Sequence, residues 1–218
     1  MNLKINKLLI YSSILSLPGI LSILLSIISI PVHLNFAGVE NYGNYIIFHF
    51  LLIISSILNF GIGKSIAVSI NNFPKKNKEI SFQGIKYTLL VILISISLLV
   101  ILFKLELLNF VFKIINQSLI NFLFFGIILS ILYTSLEGIF QGYQKFKSLS
   151  FFNFLFFSLS LSLPSLLFLV NNSLSLKELI IISLIIKSSS IIFMVASIIQ
   201  NKLISISNNK ILFLNLKS

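Results

Sequence analysis

The chain has no cysteine, no arginine and no aspartate, and its only histidines are His33 and His49. Without cysteine, disulfides and thiolate metal sites are excluded, although this says nothing about compartment. Neither histidine has a carboxylate at metal-ligand spacing, so a histidine–carboxylate centre is excluded too. Charge is scarce: 10% of the 218 residues are charged and 57% are hydrophobic. A soluble domain carries roughly a quarter of its residues as charge.

Catalytic signatures are missing as well. The chain has no G-x-S-x-G elbow and no exposed pair of carboxylates in a loop. Gly61 to Ser65 reads GIGKS, which ends like a phosphate loop but lacks the first glycine at the required spacing. It also sits inside an apolar run. The expectation is a protein that is not an enzyme and needs no cofactor and no metal.

What the chain does have is long apolar blocks, with a mean hydropathy of +1.07. Crossing a bilayer as a helix takes about 20 apolar residues. The blocks are continuous rather than alternating, which selects helices over a barrel. The reading is an all-α integral membrane protein, a bundle of about six transmembrane helices at 8–30, 44–68, 84–103, 117–139, 150–170 and 178–200. These make a single membrane lobe over 1–218.

The breaks between blocks are polar. Pro31 to Tyr42 carries Pro, Gly and Asn and reads as a loop; Asn71 to Lys78 is NNFPKKNK; Lys104 to Gln117 mixes charge with apolar residues. Gln141 to Ser148 and Asn171 to Glu178 are short polar connections. Asn171-Asn172-Ser173 fits a glycosylation sequon, but the Ile, Asn, Phe and Lys bias suggests an AT-rich bacterial genome, where the match is chance. The start, Met1 to Lys7 before an apolar run, is not followed by a small-residue cleavage site and reads as a retained first helix.

The net charge of +11 comes from lysines in the breaks. Lys4, Lys7, Lys64, Lys75, Lys76, Lys78, Lys86, Lys145, Lys147, Lys202, Lys210 and Lys217 fall on one side, against Lys104, Lys113 and Lys177 on the other. That bias places both termini in the cytoplasm, as an even number of spans also requires. No basic stripe alternates with aromatics, so there is no nucleic-acid partner; the partner is membrane lipid. The basic tail, 201–218, turns apolar at Ile211 to Leu216. It is either a frayed terminus or the lead into a second lobe.

Polar residues within spans carry the functional signal, because lipid penalises them. His49, Ser56, Asn59 and Gly63 fall on one helical stripe of the second span; Ser183, Lys187, Ser190, Met194 and Ser197 do so in the sixth. The first span adds Ser12, Ser16, Gly19 and Ser26, with Pro18 as a kink point. Such stripes either pack helices through small residues or line a wet cavity. For serine and glycine, packing is the preferred reading. Lys187 lies about 15 Å into its span, where a cavity and a shifted helix boundary stay open alternatives. Lys64 is near a span end, within snorkelling reach of the interface. Glu137 reads as paired with a loop lysine.

The stretch Phe36-Ala37-Gly38-Val39-Glu40-Asn41-Tyr42-Gly43-Asn44-Tyr45, followed by Leu58-Asn59-Phe60-Gly61-Ile62-Gly63-Lys64-Ser65, resembles the bacterial polysaccharide flippases. These are the O-antigen and capsule transporters of the multidrug/oligosaccharidyl-lipid/polysaccharide superfamily, marked by a G-x-x-x-Y-G loop and an L-x-x-G-x-G segment. Glu137-Gly138-Ile139-Phe140-Gln141-Gly142-Tyr143-Gln144-Lys145-Phe146 resembles their G-x-x-x-F turn between the fourth and fifth helices. The resemblance implies a transporter of the bacterial cytoplasmic (inner) membrane. It would move a lipid-pyrophosphate-linked oligosaccharide by alternating access, through a cationic cavity and driven by an ion or proton gradient.

Carried onto this sequence, the resemblance implies Lys64 and Asn59 as substrate-cavity residues. Lys187 and His49 join them on the stripe pattern alone. The family has two lobes and this chain supplies one, so it is expected to act as a truncated half, or with a second lobe or a homodimer partner. The alternatives are a non-transporting scaffold or accessory subunit of a glycan-synthesis complex, and a drug/cation antiporter of the same superfamily. The antiporter requires a carboxylate within a span, and only Glu137 comes near that.

Overall fold

In a computed structural model of the chain, residues 2–104 and 119–204 are described, and their side chains too except at 2–12 and 103. The tail beyond 204, most of the 104–117 break and the side chain of Ser12 lie outside the described residues. The described residues are mostly helix joined by short turns, with no strand among them. Five segments are long and apolar enough to cross a membrane: Ser13–Asn59, Pro74–Leu102, Ile120–Gly142, Phe146–Leu169 and Leu176–Gln200.

Helix α1 (Asn2–Ile54) contains one non-helical residue, Gly38, at φ 80° and ψ 168°. Only glycine takes such a conformation without a Cβ clash. The His33 ring lies 5.2 Å from the Tyr45 ring and 5.1 Å from that of Tyr42. Twelve residues of continuous helix would hold His33 and Tyr45 about 18 Å apart, so the chain doubles back at Gly38. The expected loop at 31–42 is therefore two helix ends around a one-residue reversal. Its polar residues close the turn: Asn41 Nδ2 donates to the Ala37 carbonyl at 2.9 Å.

The expected span at 44–68 is also interrupted. A 3-10 turn, Ser55–Asn59, ends in two left-handed residues, Phe60 (φ 50°) and Gly61 (φ 74°). Helix α2 (Ile62–Asn72) then continues. The Ser95 hydroxyl, from α3 (Asn77–Lys104), donates to the Leu58 carbonyl at 3.3 Å beside this break.

Helix α2 packs most extensively on α4 (Ile120–Gly142). Glycines set the distance: a Cβ on Gly63 would stand 2.3 Å from the Thr134 carbonyl oxygen, and one on Gly138 2.1 Å from that of Gly63. Gly138 and Gly142 are four apart on α4, a small-xxx-small face of the kind that lets helices approach in lipid. Gly142 receives Ile70 in the same way.

The next rod is composite: α5 (Phe146–Asn153), a π-helical turn (Phe154–Leu159), α6 (Ser160–Leu166) and a 3-10 turn (Leu167–Leu169). It runs beside the first arm of α1. Ser150 Oγ donates to the Ile14 carbonyl at 2.7 Å, which is the acceptor that Pro18 strands by lacking an N–H. Pro164 strands the Ser160 carbonyl in turn, and the Tyr45 hydroxyl reaches it at 3.2 Å. The carbonyls freed by Pro18 and Pro164 are thus each met by a hydroxyl from a neighbouring helix, the kind of repair that tolerates proline in apolar helices. Helix α7 (Leu176–Gln200) opens with a capping box between Ser175 and Glu178. Tyr45, Phe48, Tyr133, Phe140, Phe156 and Phe168 fill the core.

Candidate functional site

Helix α7 presents Ser183, Lys187, Ser190 and Met194 to the interior, all buried. Their spacing of 4, 3 and 4 is one helical face, and the helix is unbroken through it. Lys187 is 4% exposed and stands about 16 Å from the start of α7 and slightly more from its end. Its mid-helix position owes nothing to a shifted helix end. Its partners come from the π-helical turn, where the widened helix displaces carbonyls from the α register. Lys187 Nζ donates to the Phe156 carbonyl at 3.0 Å and sits 4.2 Å from the centre of the Phe156 ring. Ser190 Oγ donates to the Phe152 carbonyl at 3.3 Å.

An ammonium has three N–H donors, and among the described residues this bond uses one of them. Lys187 lines a cavity of about 280 Å³ whose other polar walls are Ser56, Ser130, Tyr133, Thr134 and Glu137. The Ser130 and Thr134 hydroxyls donate to carbonyls of their own helix, leaving oxygen lone pairs for the cavity. Tyr133 stacks on Phe156 at 3.8 Å and donates to Asn153 Oδ1. Among the described residues, Glu137 accepts from Gln141 Nε2 at 3.0 Å. A lysine and a glutamate thus line one small cavity inside an apolar bundle.

The four sequence candidates separate. His49 is buried beside Lys187's helix: its Nε2 meets Ser183 Oγ at 3.2 Å, and its ring packs edge-on to Tyr45 at 4.6 Å. Asn59 is buried at the broken turn, and its Oδ1 has no hydrogen-bond partner among the described residues. Lys64 is exposed, and the chamber's lining does not include it, because the neighbouring Gly63 is the residue turned to α4. The 3-10 turn at Ser55–Asn59 breaks the α-helical period, so the stripe from His49 to Gly63 is not one face: Ser56 is exposed while the other three are buried. In the first span Ser16 and Gly19 are exposed and Pro18 is buried. The inward positions there are Pro18, Ser29 and His33, separated by whole helical turns.

His33 was hidden by its place in an expected loop. It is fully buried, with Nδ1 2.8 Å from Ser165 Oγ and Nε2 without a partner among the described residues. Tyr45 and Ser150 were also missed. Pro18 and Pro164 signalled them, since each frees a carbonyl that a foreign donor can meet. No group of three His, Asp or Glu that could hold a metal ion occurs among the described residues. Comparison with protein-family models, curated proteins and solved structures finds no match to this chain.

Proposed function

We propose that the chain is one lobe of a membrane transporter for an anionic amphiphile, with a lipid-linked oligosaccharide as cargo moved by alternating access. The observation that carries this reading is Lys187, buried at mid-helix with one of its three N–H donors bonded among the described residues, beside a cavity whose largely apolar wall includes Ser56, Ser130, Thr134 and Glu137. Ionisable groups held at that depth are costly and mark transport paths. A chamber of about 280 Å³ takes a phosphate-sized headgroup but not a glycan. The glycan would lie in space shared with a second lobe, either a second copy or a partner chain. Glu137, facing the same chamber, is the carboxylate through which a cation or proton would couple.

Six crossings follow if the doubled-back α1 spans twice. Both termini then share a side with Lys75, Lys76, Lys78, Lys145, Lys147 and Lys202, and the positive-inside rule makes it the cytoplasm. The bacterial inner membrane is the setting this reading takes.

The test is translocation of a fluorescent polyprenyl-phosphate glycolipid in proteoliposomes, with wild type against Lys187→Met. The expected result is at least tenfold slower movement with an unchanged unfolding midpoint. A scaffold is the second reading, favoured by the bonds that fasten Ser183, Lys187 and Ser190 to neighbouring elements. It predicts no translocation by either protein and a bundle that loosens when Lys187 is replaced.

A further inference from the structure

Away from the chamber, the chain builds a second polar cavity where its apolar segments stop. The apolar segments starting at Pro74 and ending at Gly142 have their ends here, as does α2 at Asn72. The ends are stitched together: the Tyr143 hydroxyl donates to the Leu203 carbonyl at 3.0 Å, and Lys145 Nζ bonds Asn201 Oδ1. Between them lies a cavity of about 260 Å³ walled by Lys75, Lys76, Asn77, Lys78, Glu79 and Tyr143.

Three features of this cavity point the same way. Its wall carries three lysines against one glutamate, and Lys145, Lys147 and Lys202 extend the positive field on the same end. Lys75, Lys76 and Lys78 are exposed, so their ammonium groups are free to turn toward an anion. The cavity also opens at the start of α3, whose 28 residues put the positive end of a helix dipole there. Finally, its depth is fixed by the ends of the apolar segments, which is where a bilayer keeps its phosphates. Clustered lysines just outside spans attract anionic lipid in this way.

We propose that the Pro74–Glu79 turn and Tyr143 form a binding site for the headgroup of an anionic phospholipid. The lipid phosphate sits among Lys75, Lys76 and Lys78, its acyl chains run down the apolar flank of α3, and Tyr143 borders the headgroup. Glu79 sets a ceiling on affinity, because it repels the same phosphate. A phosphate diester on a soluble molecule has the same chemistry, but only the lipid brings chains for the apolar flank.

The experiment is native mass spectrometry of the full chain released from detergent, titrated with palmitoyl-oleoyl phosphatidylglycerol and, separately, with the phosphatidylcholine of equal chain length. Wild type is expected to retain phosphatidylglycerol preferentially. The triple variant Lys75→Gln/Lys76→Gln/Lys78→Gln is expected to lose that preference by about tenfold or more, since each surface lysine contributes roughly a factor of five. Glu79→Gln is expected to bind more tightly than wild type, a gain that a damaged fold would not give. Unchanged binding by the triple variant overturns the site. So does an equal loss in Lys177→Gln, which would leave only a general charge effect. Competition by millimolar glycerol phosphate, at the level of the lipid itself, would overturn the lipid as occupant.

Discussion

Replacing Gly138 by alanine attacks the closest glycine approach among the described residues. The added methyl would stand 2.1 Å from the Gly63 carbonyl oxygen, 2.7 Å from its carbon and 2.8 Å from its Cα. All three are backbone atoms of α2, so no rotamer change relieves the clash. Restoring ordinary contact requires α2 and α4 to part by about 1 Å, which forfeits dispersion along their whole interface. Overpacking of this kind costs about 1–3 kcal/mol, and the gain in helix propensity from Gly→Ala returns at most about 1 kcal/mol. The expected net loss is about 2 kcal/mol. Gly19→Ala supplies the control, because nothing lies within 4 Å of its added methyl; it should be neutral or slightly stabilising. The assay is reversible unfolding in mixed micelles by sodium dodecyl sulfate, read by circular dichroism, on both variants and wild type. Equal midpoints for Gly138→Ala and Gly19→Ala would refute the glycine-to-glycine approach of α2 and α4.

Lys187→Met should leave the unfolding midpoint unchanged or raise it, because an apolar side chain of similar length removes a buried charge while Ser160 Oγ still donates to the Phe156 carbonyl; a midpoint drop in the same micelle assay would make the lysine structural. Gly38→Ala forces a Cβ into a conformation with φ 80° and should cost about 1–3 kcal/mol, seen as a lower midpoint and faster proteolysis at the reversal. Ser175→Ala removes the capping box with Glu178 and should cost about 1 kcal/mol, with increased hydrogen exchange confined to the first turn of α7.

Helical character, and segments long and apolar enough to cross a membrane, were legible because long apolar blocks have few alternatives in a 218-residue chain. The inward face of α7 was legible for a related reason: that helix runs unbroken, so the 3.6-residue period holds from Ser183 to Met194. The second span departs from its stripe: the 3-10 turn at Ser55–Asn59 leaves Ser56 exposed while His49, Asn59 and Gly63 are buried. Lys64 came from the motif resemblance and not from the stripe, and it points out because its neighbour Gly63 is the residue turned to α4. The π-helical turn at Phe154–Leu159 left no mark in FLFFSL, because its carbonyls are held by Lys187 and by Ser160, which the local sequence pattern does not reveal. His33 was assigned to a loop, and Ser150 and Tyr45 were given no role, although Pro18 and Pro164 each leave a carbonyl that these two hydroxyls meet.

The central claim is that Lys187 borders a chamber accessible to polar solutes. Because the chain has no cysteine, single cysteines at Lys187, Ser56 and Thr134 can be probed in intact membranes with a water-soluble maleimide, using Lys177→Cys as the labelled control. Labelling of all three, slowed by added anionic glycolipid, is the predicted result. Silence at all three, with Lys177→Cys reacting fully, would contradict it and leave the chamber as packing.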